Sequence, residues 1–209
     1  TSLHKSELMA EEDRSMEDMT STFFDSRNLM WFVNNMFRTP ALVCYQPSTD
    51  AIKVYKNFVN EDGTTVSVTY VRCAAEDKDH NIWIGTDVGP LMLTADEISN
   101  NGDVFTQVKV PRNDGTNLAD YLMDGIDIKC MVIDGGGRKW FGTSDNGLYL
   151  ISADNMTQLQ HFTVSNSKLL SNTISSLALN TGTGELFIGT DKGLCSYMSD
   201  ASEPVEKMD

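Results

Sequence analysis

Three histidines, four cysteines and 30 carboxylates are the groups from which this chain would have to build acid–base, nucleophilic or metal chemistry. Their spacing argues against each. His4, His80 and His161 share no metal-ligand interval. "DKDHN" (77–81) offers the alternating oxygens of a calcium loop, but lacks its central glycine and its distal glutamate. "GGGR" (135–138) is not followed by the G-K-[ST] of a phosphate-binding loop. No C-x-x-C, no G-x-S-x-G and no local cysteine–histidine pairing occurs. Carboxylate pairs are frequent in any chain of formal net charge −14 and so identify nothing. The expectation is a protein without catalytic residues, metal or cofactor.

The same charge speaks against nucleic acid and anionic membrane surfaces as partners, because both select a basic footprint. No run approaches the ~18 apolar residues of a membrane-spanning helix, so direct membrane insertion is not expected either. What remains is binding by shape and polar contact to a protein or a glycan. Two stretches carry the side chains for it. "PRNDGTNLADYLMDG" (111–125) supplies Arg112, Asp114, Asn117 and Tyr121; "NNMFRTP" (34–40) supplies Phe37 and Arg38. An aromatic ring beside planar polar groups is what a sugar-binding site needs. Within the first stretch, "NLADYLM" reads as a short helix with Leu118, Tyr121 and Leu122 on the core.

These stretches stand out because they interrupt a repeat. "NIWIGTDVGPL", "RKWFGTSDNGL" and "ELFIGTDKGL" are variations on one theme, with a fainter relative at "LMWFVNNMFRTPAL". The anchors Trp31, Trp83, Trp140 and Phe187 follow one another at intervals of 52, 57 and 47 residues, near the period of a propeller blade. Upstream of each lies a strand whose columns agree: Met19, Val71, Ile128 and Ile174, then Ser21, Cys73, Cys130 and Ser176, then Phe23, Ala75, Val132 and Ala178. Shared period-2 columns indicate β structure. Asn28, His80, Gly137 and Gly184, each three residues before its anchor, suit a hairpin turn with positive φ. Glycines Gly85, Gly142 and Gly189 follow the anchors, then a second turn, a third apolar strand and a more polar fourth. That fourth strand is visible as "AIKVYKNFV", "VFTQVKV" and "QLQHFTV", and is missing from the last unit. Cys73 and Cys130 occupy equivalent places in two units, which predicts buried free thiols rather than a disulfide.

The reading is an all-β chain: a β-propeller segment of about four blades, each a four-stranded antiparallel meander, the last incomplete. The blades span about 16–62, 63–115, 116–168 and 169–198. Residues 1–15 form an amino-terminal tail or the remnant of a preceding blade, and 199–209 a polar link to a further carboxyl-terminal domain. The chain is expected to be a piece of something longer, and an exposed blade edge predicts self-association.

The pattern D-x-x-G-x-x-W-[IF]-G-T-x-x-G-L, closest in "DGGGRKWFGTSDNGL" (134–148), resembles the two-component regulator propeller repeat. "DKDHNIWIGTDVGPL" departs from it at His80 and Pro90, "NTGTGELFIGTDKGL" replaces Trp by Phe187, and the Trp31 unit has lost the Gly-Thr. The resemblance implies a blade and two settings for it. One is an envelope protein of the PorZ kind, associated with type IX secretion, to which the ending "TGELFIGTDKGLCSYMSDASEP" is similar. The other is the periplasmic sensor of a hybrid two-component histidine kinase detecting polysaccharide fragments. Both imply a periplasmic or cell-envelope location.

Overall fold

The computed structural model describes residues 14–112 and 114–200. The first blade is an antiparallel meander of β1 (Met19–Phe24), β2 (Met30–Asn34), β3 (Ala41–Gln46) and β4 (Ala51–Tyr55). After β5 (Val59–Asn60), the second blade runs through β6 (Val71–Glu76), β7 (Ile82–Thr86) and β8 (Gly89–Leu93), then α1 (Ala95–Ser99) and β9 (Val104–Phe105). A hairpin of β10 (Lys109–Pro111) and β11 (Ala119–Tyr121) follows. The third blade is β12 (Ile128–Ile133), β13 (Lys139–Thr143), β14 (Leu148–Ile151) and β15 (Gln158–Phe162). The fourth is β16 (Ile174–Asn180), β17 (Glu185–Thr190) and β18 (Gly193–Met198).

Two compact units are formed, one of residues up to 87 with 91–106, the other of 88–90 with 107 onward. The core of the first unit gathers Trp31, Val33, Leu42, Val71, Ile82, Ile84, Leu93 and Phe105. Trp140, Leu148, Leu150, Leu169, Ile174, Leu186 and Ile188 form a core in the second. The other face of the first blade is covered by Met16, packed on Phe32, Ala41 and Val43. Residues 1–13 of the expected tail and 201–209 of the expected link lie outside the described residues, as does His4.

The sequence columns become strand registers. Phe23, Ala75, Val132 and Ala178 sit directly opposite the four anchors. Asn28, His80, Gly137 and Gly184 all adopt positive φ, between 61° and 78°. All four cysteines are free thiols, with Cys73 buried.

A feature the columns did not announce is a register shift in every inner strand, in the same place before Cys73, Cys130 and Ser176 and further along in β1, between Thr20 and Phe23. It explains the glycine after the anchor. A β-carbon on Gly142 would stand 2.5 Å from the Cys130 sulfur, and one on Gly189 2.3 Å from the Ser176 hydroxyl, both well inside van der Waals contact. In the first blade Val33 replaces that glycine. There Ser21 takes φ 55° and its hydroxyl instead accepts from the Ala74 amide at 3.0 Å.

Two expectations fail. The stretch read as a short helix at "NLADYLM" is strand β11, with Leu118 55% exposed, because the hairpin gives its backbone partners in β10. The fourth strand of the second blade, expected along "VFTQVKV", is reduced to one bridge between Met92 and Thr106. Helix α1, capped by the Thr94 hydroxyl, fills the connection. Val104 and Phe105 pair in parallel with β5, and Lys109–Pro111 turns away to β11.

Candidate ligand-binding groove

The motif residues themselves are committed to structure. Asp25 and Asp77 each accept the indole N–H of their own anchor, at 2.9 Å from Trp31 and 2.8 Å from Trp83. Each also accepts backbone N–H groups of its turn: Arg27 and Leu29 for Asp25, Asp79 and Asn81 for Asp77. Asp134 holds its turn in the same way through Gly136 and Arg138, and Asn180 through Gly182 and Thr183. The three aspartates are buried carboxylates satisfied by several donors each. Asp77, the first oxygen of the calcium-like "DKDHN", is therefore spent on the hairpin. The motif threonine performs the same service for the second turn: Thr143 Oγ1 donates to the Gly147 carbonyl and Thr190 Oγ1 to that of Gly193. The motif alone did not mark its aspartate and threonine as turn-builders, although the constant six-residue step from Asp to Trp in three units carried the signal.

The variable segments are where binding groups can sit on a fixed scaffold. In the second unit, hairpin β10–β11 and strands β14–β15 enclose a groove of about 290 Å³. Tyr121 and Tyr149 contribute aromatic rings, Val110, Leu122, Met123 and Ile126 an apolar floor, and Thr157 and Gln158 polar groups. Tyr149 is 9% exposed and stacks on His161 at 3.9 Å, while His161 Nε2 is 2.7 Å from the Asn146 carbonyl oxygen. Burial, with Asp145 adding, pushes the Tyr149 phenol up, so it stays neutral at physiological pH. The Lys109 ammonium lies 6.0 Å from the Tyr121 ring centre. None of the residues lining the groove is a carboxylate, histidine, cysteine or serine. The groove can hold a ring against its tyrosines and apolar floor, with an amide and a hydroxyl beside them.

Of the six residues singled out from sequence, Tyr121 lines the groove. Arg112 is tied bidentately to Asp120, at 2.8 and 2.6 Å, across the hairpin. The pairing raises the arginine and holds the Asp120 carboxyl below its ordinary range. Asp114 binds the Thr116 amide and hydroxyl, which hold its carboxyl low, and closes the hairpin tip. Asn117 is exposed beside it. Phe37 and Arg38 belong to the first unit. Phe37, 48% exposed, packs on Tyr70 at 5.5 Å, with the Arg38 guanidinium 4.9 Å over one ring and that of Arg72 4.4 Å over the other. Arg38 holds this place with φ 67°. A larger recess in the first unit, about 420 Å³, has Lys53 as the charged group of its lining, and that amine is anchored on the Asn101 and Gly102 carbonyls.

Residues 65–88 match the sequence model of the two component regulator propeller family. Among solved structures, the chain is similar to PorZ, an essential bacterial surface component of the type IX secretion system of Porphyromonas gingivalis. The likeness has a TM-score of 0.80 and 24% identity, over 93% of this chain and 28% of that one. It is also similar to the extracellular domain of the hybrid two component system BT3049 of B. thetaiotaomicron, with a TM-score of 0.62 and 21% identity over 91% of this chain and 23% of that one. A protein described as a gluconolactonase shares the fold at 11% identity, with a TM-score of 0.58 over 88% of this chain and 59% of that one. No curated protein matches the chain. The chain spans less than a third of the length of the first two structures. The fold is thus a β-propeller segment carrying a two-component regulator propeller repeat.

Proposed function

We propose that the chain is the blade-forming part of a larger cell-envelope protein of the PorZ kind, a scaffold that holds a partner without transforming it. The groove beside Tyr121 carries this reading. Two tyrosines, an apolar floor and an amide–hydroxyl pair make a surface for a sugar ring or a peptide side chain, and no carboxylate, histidine, cysteine or serine lines it. The fold likeness to a bacterial surface component supports the envelope location, outside the cytoplasm.

The test is calorimetric titration of the protein with a panel of neutral and acidic oligosaccharides, and with extended peptides. Binding that Tyr121→Ala weakens at least tenfold, while the fold is kept, supports the groove. Binding indifferent to Tyr121 moves the site elsewhere, and release of a cleaved product overturns the non-catalytic assignment. The rival role, a sensor for polysaccharide fragments in a hybrid two-component kinase, is supported by the fold likeness to the extracellular domain of a hybrid two component system. The reading frame beyond Asp209 separates the two: a small β-domain supports the scaffold, a membrane helix and kinase core the sensor.

A further inference from the structure

Each unit contains a seam between two consecutive blades, and the two seams begin with the same pair of rings. In the first unit Trp31 stacks on Tyr55 of the outer strand β4, centroids 6.2 Å apart, and Phe105 closes the seam at 5.9 Å from Tyr55. In the second, Trp140 stacks on Phe162 of the outer strand β15, at 6.4 Å. Phe162 shows that the stack needs only a ring, so the packing does not require the hydroxyl of Tyr55. Tyr55 is 5% exposed and lines the recess of about 420 Å³, and its hydroxyl has no hydrogen-bond partner among the described residues. Burial holds the phenol above its ordinary value, so at physiological pH it is a donor without an acceptor. The recess lies between helix α1 and the face of hairpin β3–β4 that carries Gln46, Lys53 and Tyr55. Met16, near the start of the described chain, packs on the opposite face of the blade, with Ile52 and Val54.

We propose that this recess is a binding site for a small monocarboxylate with a compact apolar body. The polar groups that converge on it are rich in donors: the Tyr55 hydroxyl, the side-chain amides of Gln46 and Asn101, and the Lys53 ammonium. Lys53 gives two of its three protons to the Asn101 and Gly102 carbonyls, at 2.6 and 2.7 Å, and keeps the third. Its Nζ stands 4.7 Å from the Tyr55 ring centre, which brings ammonium and phenol to one place. Neither side-chain amide has a partner among the described residues. A ligand must therefore bring acceptors, and the single charged group in the lining matches a single negative charge. A second negative charge is disfavoured, because Asp103 and Glu97, outside the lining, are close enough to bear on the Tyr55 phenol. Leu29 and Ile98 supply the apolar wall, and the volume suits a ligand at the small end of the usual range. The site belongs to the first unit and the Tyr121 groove to the second, so it stands whether or not that groove binds a ligand.

The probe is phenylacetate, with phenylacetamide as its uncharged isostere, each titrated into the whole protein and followed by NMR. The expected result is saturable binding of phenylacetate that shifts the resonances of Lys53, Ile98 and Asn101. Phenylacetamide should bind about tenfold more weakly, or worse, for want of the charge-assisted contact. Tyr55→Phe keeps the ring that the second unit already uses in this place, and should weaken phenylacetate by roughly threefold or more, as for one lost hydrogen bond. Lys53→Gln, an independent variant, should abolish the preference for the acid over the amide. Absence of saturation at tens of millimolar phenylacetate overturns the proposal. So does equal binding of acid and amide, or binding indifferent to both substitutions. Shifts confined to Tyr149, Thr157 and Gln158 also overturn it, because they assign the acid to the Tyr121 groove.

Discussion

In the first unit a stacked tryptophan and tyrosine are sealed by Phe105; in the second, the ring that meets the matching tryptophan and phenylalanine is Tyr197 of the edge strand β18, at 5.6 and 5.1 Å. Phe105 is fully buried, whereas Tyr197 is 37% exposed and its neighbours Leu194 and Met198 more than 60%. The anchors differ as well. Both turn aspartates hold an arginine, Arg27 on Asp25 at 2.9 Å and Arg138 on Asp134 at 2.7 Å. But Trp31 also gives its indole proton to Asp25, whereas that of Trp140 is buried without a partner among the described residues. The repeat motif is best preserved around Trp140, yet the seam is better completed around Trp31. Motif quality therefore measures how well one blade's inner hairpins are built, and sealing between blades depends on outer strands that the motif does not contain.

Truncating the sealing rings is the most forceful way to break this contrast. Phe105→Ala should cost about 3–5 kcal/mol of stability, as expected for a buried aromatic removed from a packed core. Tyr197→Ala should cost roughly 1 kcal/mol, within the range of partly exposed sites. Equal shifts in denaturation midpoints would mean that both seams are sealed alike. A sharper contrast removes only the indole N–H and part of the ring. Trp31→Phe should be more destabilising than Trp140→Phe by about 1 kcal/mol, because the first removes one donor from a buried carboxylate that keeps Arg27, and the second removes none.

Thiols provide a comparison in which the units should agree. Burial pushes both Cys44 in the first unit and Cys130 in the second up to about 12 from 9.0. Each should alkylate with about a thousandth of the thiolate of an ordinary cysteine near neutral pH, since each pK step is a tenfold change. Mass spectrometry of timed alkylation checks this, and a fast Cys130 beside a slow Cys44 would mark the second unit as locally open. The smallest expected effect concerns the strap from the third blade to the end of β18, where Arg138 meets Asp200 at 2.7 Å and the Ser199 hydroxyl at 2.8 Å. Arg138 holds the Asp200 carboxyl below its ordinary value. The contribution is thus present above the unfolded carboxylate range near ~4 and fades as pH falls through the lowered folded value. Carboxyl titration by NMR should show Asp200 returning to the ordinary range in Arg138→Ala.

The inner part of each blade was legible because it is local. Anchor, facing column and turn lie within a dozen residues, and the backbone demand at Asn28, His80, Gly137 and Gly184 left a mark in residue type. The recurrent register shift was not legible, because it is a property of pairing; only the small side chains opposite Gly142 and Gly189 hinted at it. The outer strands were hardest. "VFTQVKV" has the alternation of a fourth strand, but its residues divide between β9 and β10 because β5 and β11 compete for their backbone groups. The residues around the candidate groove were half legible for a similar reason. Composition marked the hairpin at 111–125, but whether Arg112 and Asp114 face a ligand or each other's neighbours is decided by Asp120 and Thr116, a few residues away. Tyr149, Thr157 and Gln158 belong to ordinary repeat strands and turns and gave no sign of a groove.

The buried aspartates have a kinetic consequence. Asp25 and Asp77 reach the indole only six positions along the chain, and every backbone donor they hold lies nearer still. Closing so short a loop costs little chain entropy, so each inner hairpin can organise before any blade has found its neighbour. A chain assembled this way gathers preformed hairpins instead of searching for distant strands, and a blade can be added or lost as a whole without disturbing the nucleation of the others.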